Sequence, residues 1–162
     1  MKKVAIIMGS KSDMPVVEKG LETLEKFGIK TEIRILSAHR TPDEVAAFAK
    51  SARERDFACI IAAAGKSAAL PGAVAACTTL PVIGLPIKSS FLDGLDSLLS
   101  MTQMPSGIPV ATVGTDAAQN AALLAAQIIG VTDENVEKAL CRYKDEMKKK
   151  VLEADSSMKS ID

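Results

Sequence analysis

The regular alternation of short apolar runs with longer segments of helical periodicity constrains the fold of this chain more than any other feature. Residues 4–8 form a continuous apolar run that ends at Gly9, which is typical of a strand buried on both faces of a parallel sheet. Apolar residues at helical spacing follow, with Asp13 at the N-cap, Pro15 in the first turn and Gly28 at the end. The chain therefore opens with a β-loop-α unit.

The alternation continues along the chain. Strands are predicted over residues 31–36, 58–64, 81–85 and 109–114, a turn of small residues and a helix over residues 65–76, and helices over residues 93–102, 117–129 and 133–152. Residues 31–36 alternate apolar and polar positions, which indicates an edge strand. One more helix is predicted to begin at Thr41, with Pro42 at its first position and Glu44 completing a capping box.

These elements predict the fold class. Strands interleaved with helices favour a doubly wound α/β fold with five parallel strands and right-handed crossovers. The chain contains no internal repeat and no linker, so residues 1–162 are expected to form a single domain. Its last part, from about residue 131, is predicted to be an extra C-terminal helix and tail.

Composition limits the partners of such a domain. Twenty basic and twenty acidic side chains leave no net positive charge to attract nucleic acid or an anionic membrane, so small molecules or other subunits are the expected partners. The three cysteines are an odd number, and Cys59 lies in an apolar run, which favours free thiols in a reducing cytoplasm. Only five apolar residues precede Gly9, too few for a signal peptide or a membrane span, so a cytoplasmic location is expected.

Two helices point to contacts between subunits. Alanine and leucine fill residues 121–126, so this helix is apolar around most of its circumference and needs cover on several sides, from a neighbouring subunit among other candidates. The last helix has an apolar stripe that packs either on its own domain or on another subunit. The stripe consists of Val136, Leu140, Tyr143, Met147 and Val151. Residues 153–162 are polar, and a frayed tail is predicted there.

The loop after the first strand has the composition of a phosphate site. Gly9 permits a close backbone approach, Ser10 and Ser12 donate hydrogen bonds, and the following helix offers unpaired N–H groups to an anion. A plain tight turn before a capped helix explains the same residues equally well. A carboxylate repels a phosphate, so Asp13 is expected either to cap the helix or to bind sugar hydroxyls.

The loops after the second and third strands carry the remaining candidates. His39 is the only histidine, and this residue type moves protons near neutral pH, while the adjacent Arg40 offers a fork of donors to a phosphate or carboxylate. A solvated surface pair is the alternative, but the ends of strands in parallel sheets are where ligands bind. Lys66, between Gly65 and Ser67, holds an anion or faces water.

Other functions of this fold class are disfavoured. A receiver-type signalling domain needs an acidic cluster after the first strand and an aspartate after the third. This chain has Gly9 and Ser10 at the first place and Gly65 and Lys66 at the second. A flavin carrier normally stacks its ring on Trp or Tyr, yet the chain has no Trp and its one Tyr lies in the last helix. One histidine and no CxxC motif support no metal site.

Several motifs in order resemble one family. They are MGSKSD at 8–13, SAHRTP at 37–42, LDGLDSLLS at 92–100 and QMP at 103–105. The chain resembles the N5-carboxyaminoimidazole ribonucleotide mutases of purine synthesis from residue 4 to about residue 129. The resemblance implies a flavodoxin-like fold, a homo-octamer with sites shared between subunits, a ribonucleotide substrate and CO2, and neither cofactor nor metal.

The resemblance also implies roles for individual residues. The loop with Ser10, Ser12 and Asp13 is expected to hold the ribose phosphate together with Arg40, and His39 is expected to shuttle the proton. The carboxylate would leave N5 as trapped CO2 and be attacked by carbon 4 of the imidazole. The other residues expected to line the substrate site are Gly9, Ser37, Ala38, Gly65, Lys66, Ser67 and Leu70.

One loop departs from the mutase pattern. The mutases usually read GAGGAAHLPG after the third strand, where this chain reads AAGKSAALPG, so Ala69 replaces a second histidine. The segment GKSAAL instead resembles the GRSNAL of a related class that carboxylates aminoimidazole ribonucleotide directly with CO2, although that class usually has lysine in place of Arg40. The mutase reaction is the favoured prediction. Direct carboxylation, which Lys66 would assist by attracting the carboxylate or CO2, and a non-catalytic phosphoribosyl-binding protein are the alternatives.

Overall fold

A five-stranded parallel sheet forms the centre of the molecule. The computed structural model describes residues 2–158. The strands are β1 (Lys3–Met8), β2 (Thr31–Ile35), β3 (Phe57–Gly65), β4 (Val82–Ile87) and β5 (Ala111–Thr112). Their spatial order is β2-β1-β3-β4-β5, and every neighbouring pair is parallel. This is the flavodoxin-like order of doubly wound sheets, and the predicted fold class and the edge position of β2 are confirmed.

Six α-helices cover the two faces of the sheet. They are α1 (Met14–Lys26), α2 (Pro42–Ser51), α3 (Leu70–Ala75), α4 (Leu95–Thr102), α5 (Ala118–Gly130) and α6 (Glu134–Met158). Short 3-10 turns at Lys11–Asp13 and Leu92–Gly94 precede α1 and α4. None of the helices within residues 2–158 is long and apolar enough to cross a bilayer.

Alternation along the strands divides the core in two. On β1, Val4, Ile6 and Met8 face α1 and α5, whereas Ala5 and Ile7 face α2, α3 and α4. Side chains of a strand alternate between faces, so β1, β3 and β4 each contribute to both cores. Burial on both faces explains why the inner strands are continuous apolar runs in the sequence.

The alanine-rich helix α5 is covered by its own chain. It packs on α1, on α6 and on β3 and β4 of the sheet, and Ala121, Ala122, Ala125 and Ala126 are fully buried. Small side chains let the helices approach closely: a Cβ atom added to Gly20 of α1 would lie 3.0 Å from the backbone oxygen of Ala118. The apolar circumference of α5 therefore needs no neighbouring subunit.

Helix α6 is longer than predicted, and only its first half packs on the domain. Val136 is buried, and the ring of Tyr143 meets the ring of Phe27 edge-on at 5.8 Å. The apolar stripe then continues into solvent, with Met147 and Val151 exposed. The frayed tail predicted from residue 153 is wrong as far as Met158, because the helix continues to that residue; the predicted tail at 159–162 lies outside the described residues.

Two local predictions were wrong. The fifth strand pairs over only two residues, and Pro109, at its predicted start, has no N–H to donate. The turn and helix predicted over residues 65–76 are present: β3 stays paired to Gly65, Lys66 adopts a left-handed φ of 56°, and α3 begins at Leu70. The Thr41 side chain does not cap α2: its Oγ1 accepts from the Ser37 N–H at 2.9 Å and donates to the Ser37 carbonyl oxygen.

The close approach of α1 and α5 predicts the effect of enlarging Gly20. Gly20→Leu should lower the free energy of unfolding by about 1–3 kcal/mol despite the better helix propensity of leucine, because the side chain would overlap the backbone of α5. Chemical denaturation measures the change. Glu18→Leu, which places the same side chain at an exposed position of α1, should change stability by about 0.5 kcal/mol or less. Equal effects of the two variants would contradict close packing at Gly20.

Candidate active site

A cavity of about 660 Å³ lies at the carboxyl ends of β1 to β4. The chain leaves β1 toward α1 on one face of the sheet and leaves β3 toward α3 on the opposite face. The loops therefore separate at the β1–β3 boundary, which is where doubly wound sheets bind ligands. All twelve residues that the sequence predicted for the site line this one cavity.

The loop after β1 is held by a capping box. Ser10 Oγ accepts from the Ser12 N–H at 3.3 Å, and the Asp13 carboxylate accepts from the Ser10 N–H at 3.2 Å. The Ser12 hydroxyl donates to Ser10 Oγ at 2.9 Å. Asp13 makes no side-chain cap to α1 itself, so the predicted cap acts one turn earlier, on the 3-10 turn. Both hydroxyls stay at the cavity wall.

Asp13 is the one acidic residue among the described residues that line the cavity. Its side chain is almost buried, and burial raises the pKa of its carboxyl above the ordinary value of 3.8. Hydrogen bonds from the Ser10 N–H and the Ser12 side chain act in the opposite direction on the pKa without cancelling the effect of burial. Keeping the Asp13 carboxylate ionised in this loop therefore costs free energy, because burial removes water from the charge.

The loop after β2 brings an arginine against the loop after β1. Arg40 donates from a terminal guanidinium nitrogen to the Gly9 carbonyl oxygen at 3.2 Å and from Nε to Ser37 Oγ at 3.4 Å. The Thr41 hydroxyl closes the turn on Ser37, which fixes the direction in which the loop leaves the strand. His39 is exposed at the cavity mouth, and no hydrogen-bond partner for its ring is found within residues 2–158.

The loop after β3 is the most strained part of the site. Lys66 has a φ of 56°, in the left-handed region that a non-glycine residue rarely adopts. Gly65 packs closely on β4, because an added Cβ would lie 3.2 Å from the Ile87 carbonyl oxygen, a tighter contact than most Cβ atoms make. Lys66 and Ser67 are exposed at the cavity, whereas Leu70 is buried beneath it.

The loop after β4 also lines the cavity, and sequence reasoning missed it. The additional lining residues are Ala64, Ala69, Ile87, Lys88, Ser89 and Ser90. The rule that ligands bind at the carboxyl ends of strands would have identified residues 87–90, but only the first three loops were considered. Lys88 adds a third cation to the wall, next to Arg40 and Lys66.

The composition of the wall suits an anionic ligand of nucleotide size. Hydroxyl groups and a guanidinium meet at the β1 and β2 loops, while two ammonium groups lie at the β3 and β4 loops. No group of three or more metal-ligating His, Cys, Asp or Glu side chains occurs in the described part of the chain. Proton transfer and charge stabilisation are therefore the chemistry that these side chains can supply.

The buried position of Asp13 predicts a pH-dependent stability. The folded protein holds the Asp13 proton to higher pH than the unfolded chain, so ionisation weakens the fold as the pH rises from below 3.8 to neutral. Asp13→Asn keeps an acceptor oxygen without this charge, and the stability of the variant relative to the wild type should rise over that range. Urea unfolding at several pH values measures the difference. A difference that does not depend on pH would contradict the effect of burial.

Comparison with known proteins identifies relatives over nearly the whole chain. A family model described as AIR carboxylase matches residues 3–150. The chain is 52% identical to an N5-carboxyaminoimidazole ribonucleotide mutase of Thermotoga maritima over 99% of this chain and 94% of the relative. It is 57% identical to a protein of the same name from Pyrococcus horikoshii, over 93% of this chain and 85% of the relative.

Two further similarities concern a longer protein and a solved structure. The chain is 50% identical to a chloroplastic phosphoribosylaminoimidazole carboxylase of Vigna aconitifolia, of which it covers only 27%. The crystal structure of Treponema denticola PurE superimposes with a TM-score of 0.91 at 38% identity, covering 98% of this chain and 99% of the other. With its fold, its cavity and these similarities, the chain belongs to the AIR carboxylase family.

Proposed function

We propose that this chain is a mutase that moves the carboxylate of N5-carboxyaminoimidazole ribonucleotide from N5 to carbon 4 in purine synthesis. The observation that carries the proposal is one cavity in which His39 lies beside an anion-binding pair of loops, in a chain 52–57% identical to two mutases. The product is 4-carboxy-5-aminoimidazole ribonucleotide. The whole chain acts as one catalytic domain.

The two ends of the cavity have different tasks in this reaction. Ser10, Ser12 and Arg40 bind the ribose phosphate, since their hydroxyl and guanidinium groups lie together at the β1 and β2 loops. Asp13 shapes this loop through its bond to the Ser10 N–H and faces the ribose hydroxyls rather than the phosphate. The substrate ring then lies toward the β3 and β4 loops.

His39 moves the proton that the transfer requires. The bond between N5 and the carboxylate carbon breaks and leaves an electron pair on N5, and the carbon departs as CO2. Carbon 4 attacks that CO2, forms the new carbon–carbon bond and loses its proton, while N5 gains one. The imidazole of His39 carries a proton between these atoms, and the cavity, completed by neighbouring subunits, would keep CO2 close to the ring.

Direct carboxylation of aminoimidazole ribonucleotide by CO2 is the second candidate. Lys66 lines the cavity, and Ala69 stands where the mutase motif has its second histidine. The Lys66 ammonium group attracts an anionic carboxyl donor, whether that donor is the N5-carboxylated ribonucleotide or bicarbonate. The carboxylase name of the Vigna protein keeps this reaction within the family.

We propose a homo-octamer in the cytoplasm. Support for assembly comes from exposed apolar side chains, which cluster before and along α4 and at the end of α6. They are Phe91, Leu92, Leu95, Leu99, Val151 and Leu152. Support for the cytoplasm comes from the three cysteines, all of them free thiols. Light scattering measures the assembly, in which neighbouring subunits would complete each cavity.

The choice of substrate tests the reaction. The purified protein should convert N5-carboxyaminoimidazole ribonucleotide without added bicarbonate, because the migrating carboxylate is already on the substrate. Aminoimidazole ribonucleotide with bicarbonate is the parallel assay, followed by the absorbance of the carboxylated product. Turnover in the second assay alone would refute the mutase reaction and establish the carboxylase.

His39→Asn should reduce kcat by about 10²- to 10⁴-fold, because a positioned acid–base group contributes a factor of that order. The affinity for the ribonucleotide should change little, since the phosphate contacts are made by other residues. Steady-state kinetics and calorimetric titration with the product measure the two effects. An unchanged kcat would remove His39 from the mechanism.

A further inference from the structure

Two lysines directly follow the ends of neighbouring strands, at the same level of the sheet. Gly65 at the end of β3 pairs in register with Ile87 at the end of β4, and Lys66 and Lys88 are the residues that follow. Adjacent strands lie about 4.8 Å apart, so the two lysines begin side by side. Both residues line the cavity. Like charges at neighbouring positions repel each other unless an anion lies between them or beside them.

The backbone of Lys88 is held from two sides. Its N–H donates to the Asp116 carboxylate at 2.9 Å, from the loop before α5. Gly94 packs against it so closely that an added Cβ would lie 3.0 Å from the Lys88 Cα and 2.7 Å from Thr115 Cγ2. The start of the Lys88 side chain is therefore fixed, while the ammonium group at its end is free to change partner.

The ammonium group of Lys88 forms an ion pair with Asp93. The Lys88 Nζ lies 3.1 Å from Asp93 Oδ1, and the side chains are 56% and 82% exposed. An ion pair this exposed contributes little and exchanges readily for another anion. Asp93 has a left-handed φ of 52°, so the pair forms from a strained turn.

The charges of the cavity suit a ligand with two anionic groups. Arg40 and the two serine hydroxyls serve one anion at the β1 and β2 loops. Lys66 follows β3 and Lys88 follows β4, so both lie at the opposite end of the cavity from the β2 loop. No acidic residue of the described chain lines the cavity at that end. At this second end the cavity wall carries two lysines, and Asp93, the ion-pair partner of Lys88, lies outside the wall.

We propose that Lys88, beside Lys66, binds the migrating carboxylate of the substrate and releases Asp93 to do so. The proposal rests on the proposed function and adds a residue to it. Each ammonium group donates to one carboxylate oxygen of the N5-carboxylated substrate and of the product carboxylated at carbon 4, between which the group passes as CO2. Asp93 competes with the substrate carboxylate for Lys88 and so weakens binding of carboxylated ligands.

Calorimetric titration with two ligands tests the role of Lys88. Lys88→Met keeps the length of the side chain and removes its charge, so the Kd of 4-carboxy-5-aminoimidazole ribonucleotide should rise about tenfold. The Kd of aminoimidazole ribonucleotide, which lacks the carboxylate, should stay within about twofold. Lys26→Met, on the far end of α1 and outside the cavity wall, should leave both values unchanged.

Asp93→Asn tests the competition from the other side. Asparagine tolerates the left-handed conformation, so the turn is kept while the charge is lost. The carboxylated ligand should bind about two- to fivefold tighter to this variant, and the other ligand should bind as before.

Equal loss of both ligands in Lys88→Met, or no loss of either, would overturn the role of Lys88 and leave the proposed function intact. No gain for the carboxylated ligand in Asp93→Asn would overturn the exchange of partners. A wild-type protein that binds neither ligand would instead refute the proposed function, and with it this role.

Discussion

The site depends on one constraint of chain geometry, the fixed hand of the crossovers between parallel strands. Right-handed crossovers place α1 on one face of the sheet and α3 on the other, because the chain moves from β1 to one side and from β3 to the opposite side. The loops diverge there and leave a cavity between them. The residues proposed for binding or catalysis line this cavity.

The loops around the cavity are held by hydrogen bonds made before any ligand arrives. The Asp13 carboxylate accepts from the Ser10 N–H, and the Ser10 hydroxyl accepts from the Ser12 N–H. The Thr41 hydroxyl accepts from the Ser37 N–H, and the Asp116 carboxylate accepts from the Lys88 N–H in the loop after β4. A polar side chain that holds a loop in this way cannot also cap a helix elsewhere. Thr41 is the example, because the start of α2 has no side-chain cap. A prearranged site spends less of its binding energy on ordering loops.

The loop after β3 distinguishes this chain from the mutase motif, and its geometry has a local cause. Gly65 packs closely against the Ile87 carbonyl oxygen, so a side chain there would make a tight contact, and Lys66 turns the chain in a left-handed conformation. The register of β3 with β4 then sets Lys66 next to Lys88. Ala69 replaces the second histidine of the mutase motif, and the charged side chains at this end of the cavity are those of Lys66 and Lys88.

The sequence by itself determined the fold class and most of the cavity wall. Apolar runs and helical periodicity are local patterns, and parallel strands bring their carboxyl ends together whatever else the chain does, so loops far apart in sequence were expected at one site. The family followed from motifs in the first two loops and before β5. His39 and the Ser10 to Asp13 loop needed no coordinates to be identified.

Only the tertiary structure decided how side chains share partners. The bonding of the Thr41 hydroxyl to Ser37 instead of to α2, the cover of α5 by its own chain, and the pairing of Lys88 with Asp93 depend on which atoms meet in space. A short polar side chain has several partners within reach along the chain, and the pattern of residue types does not rank them. Register and packing choose among them, because they fix distances to a few tenths of an ångström, which is the scale on which a hydrogen bond is made or lost.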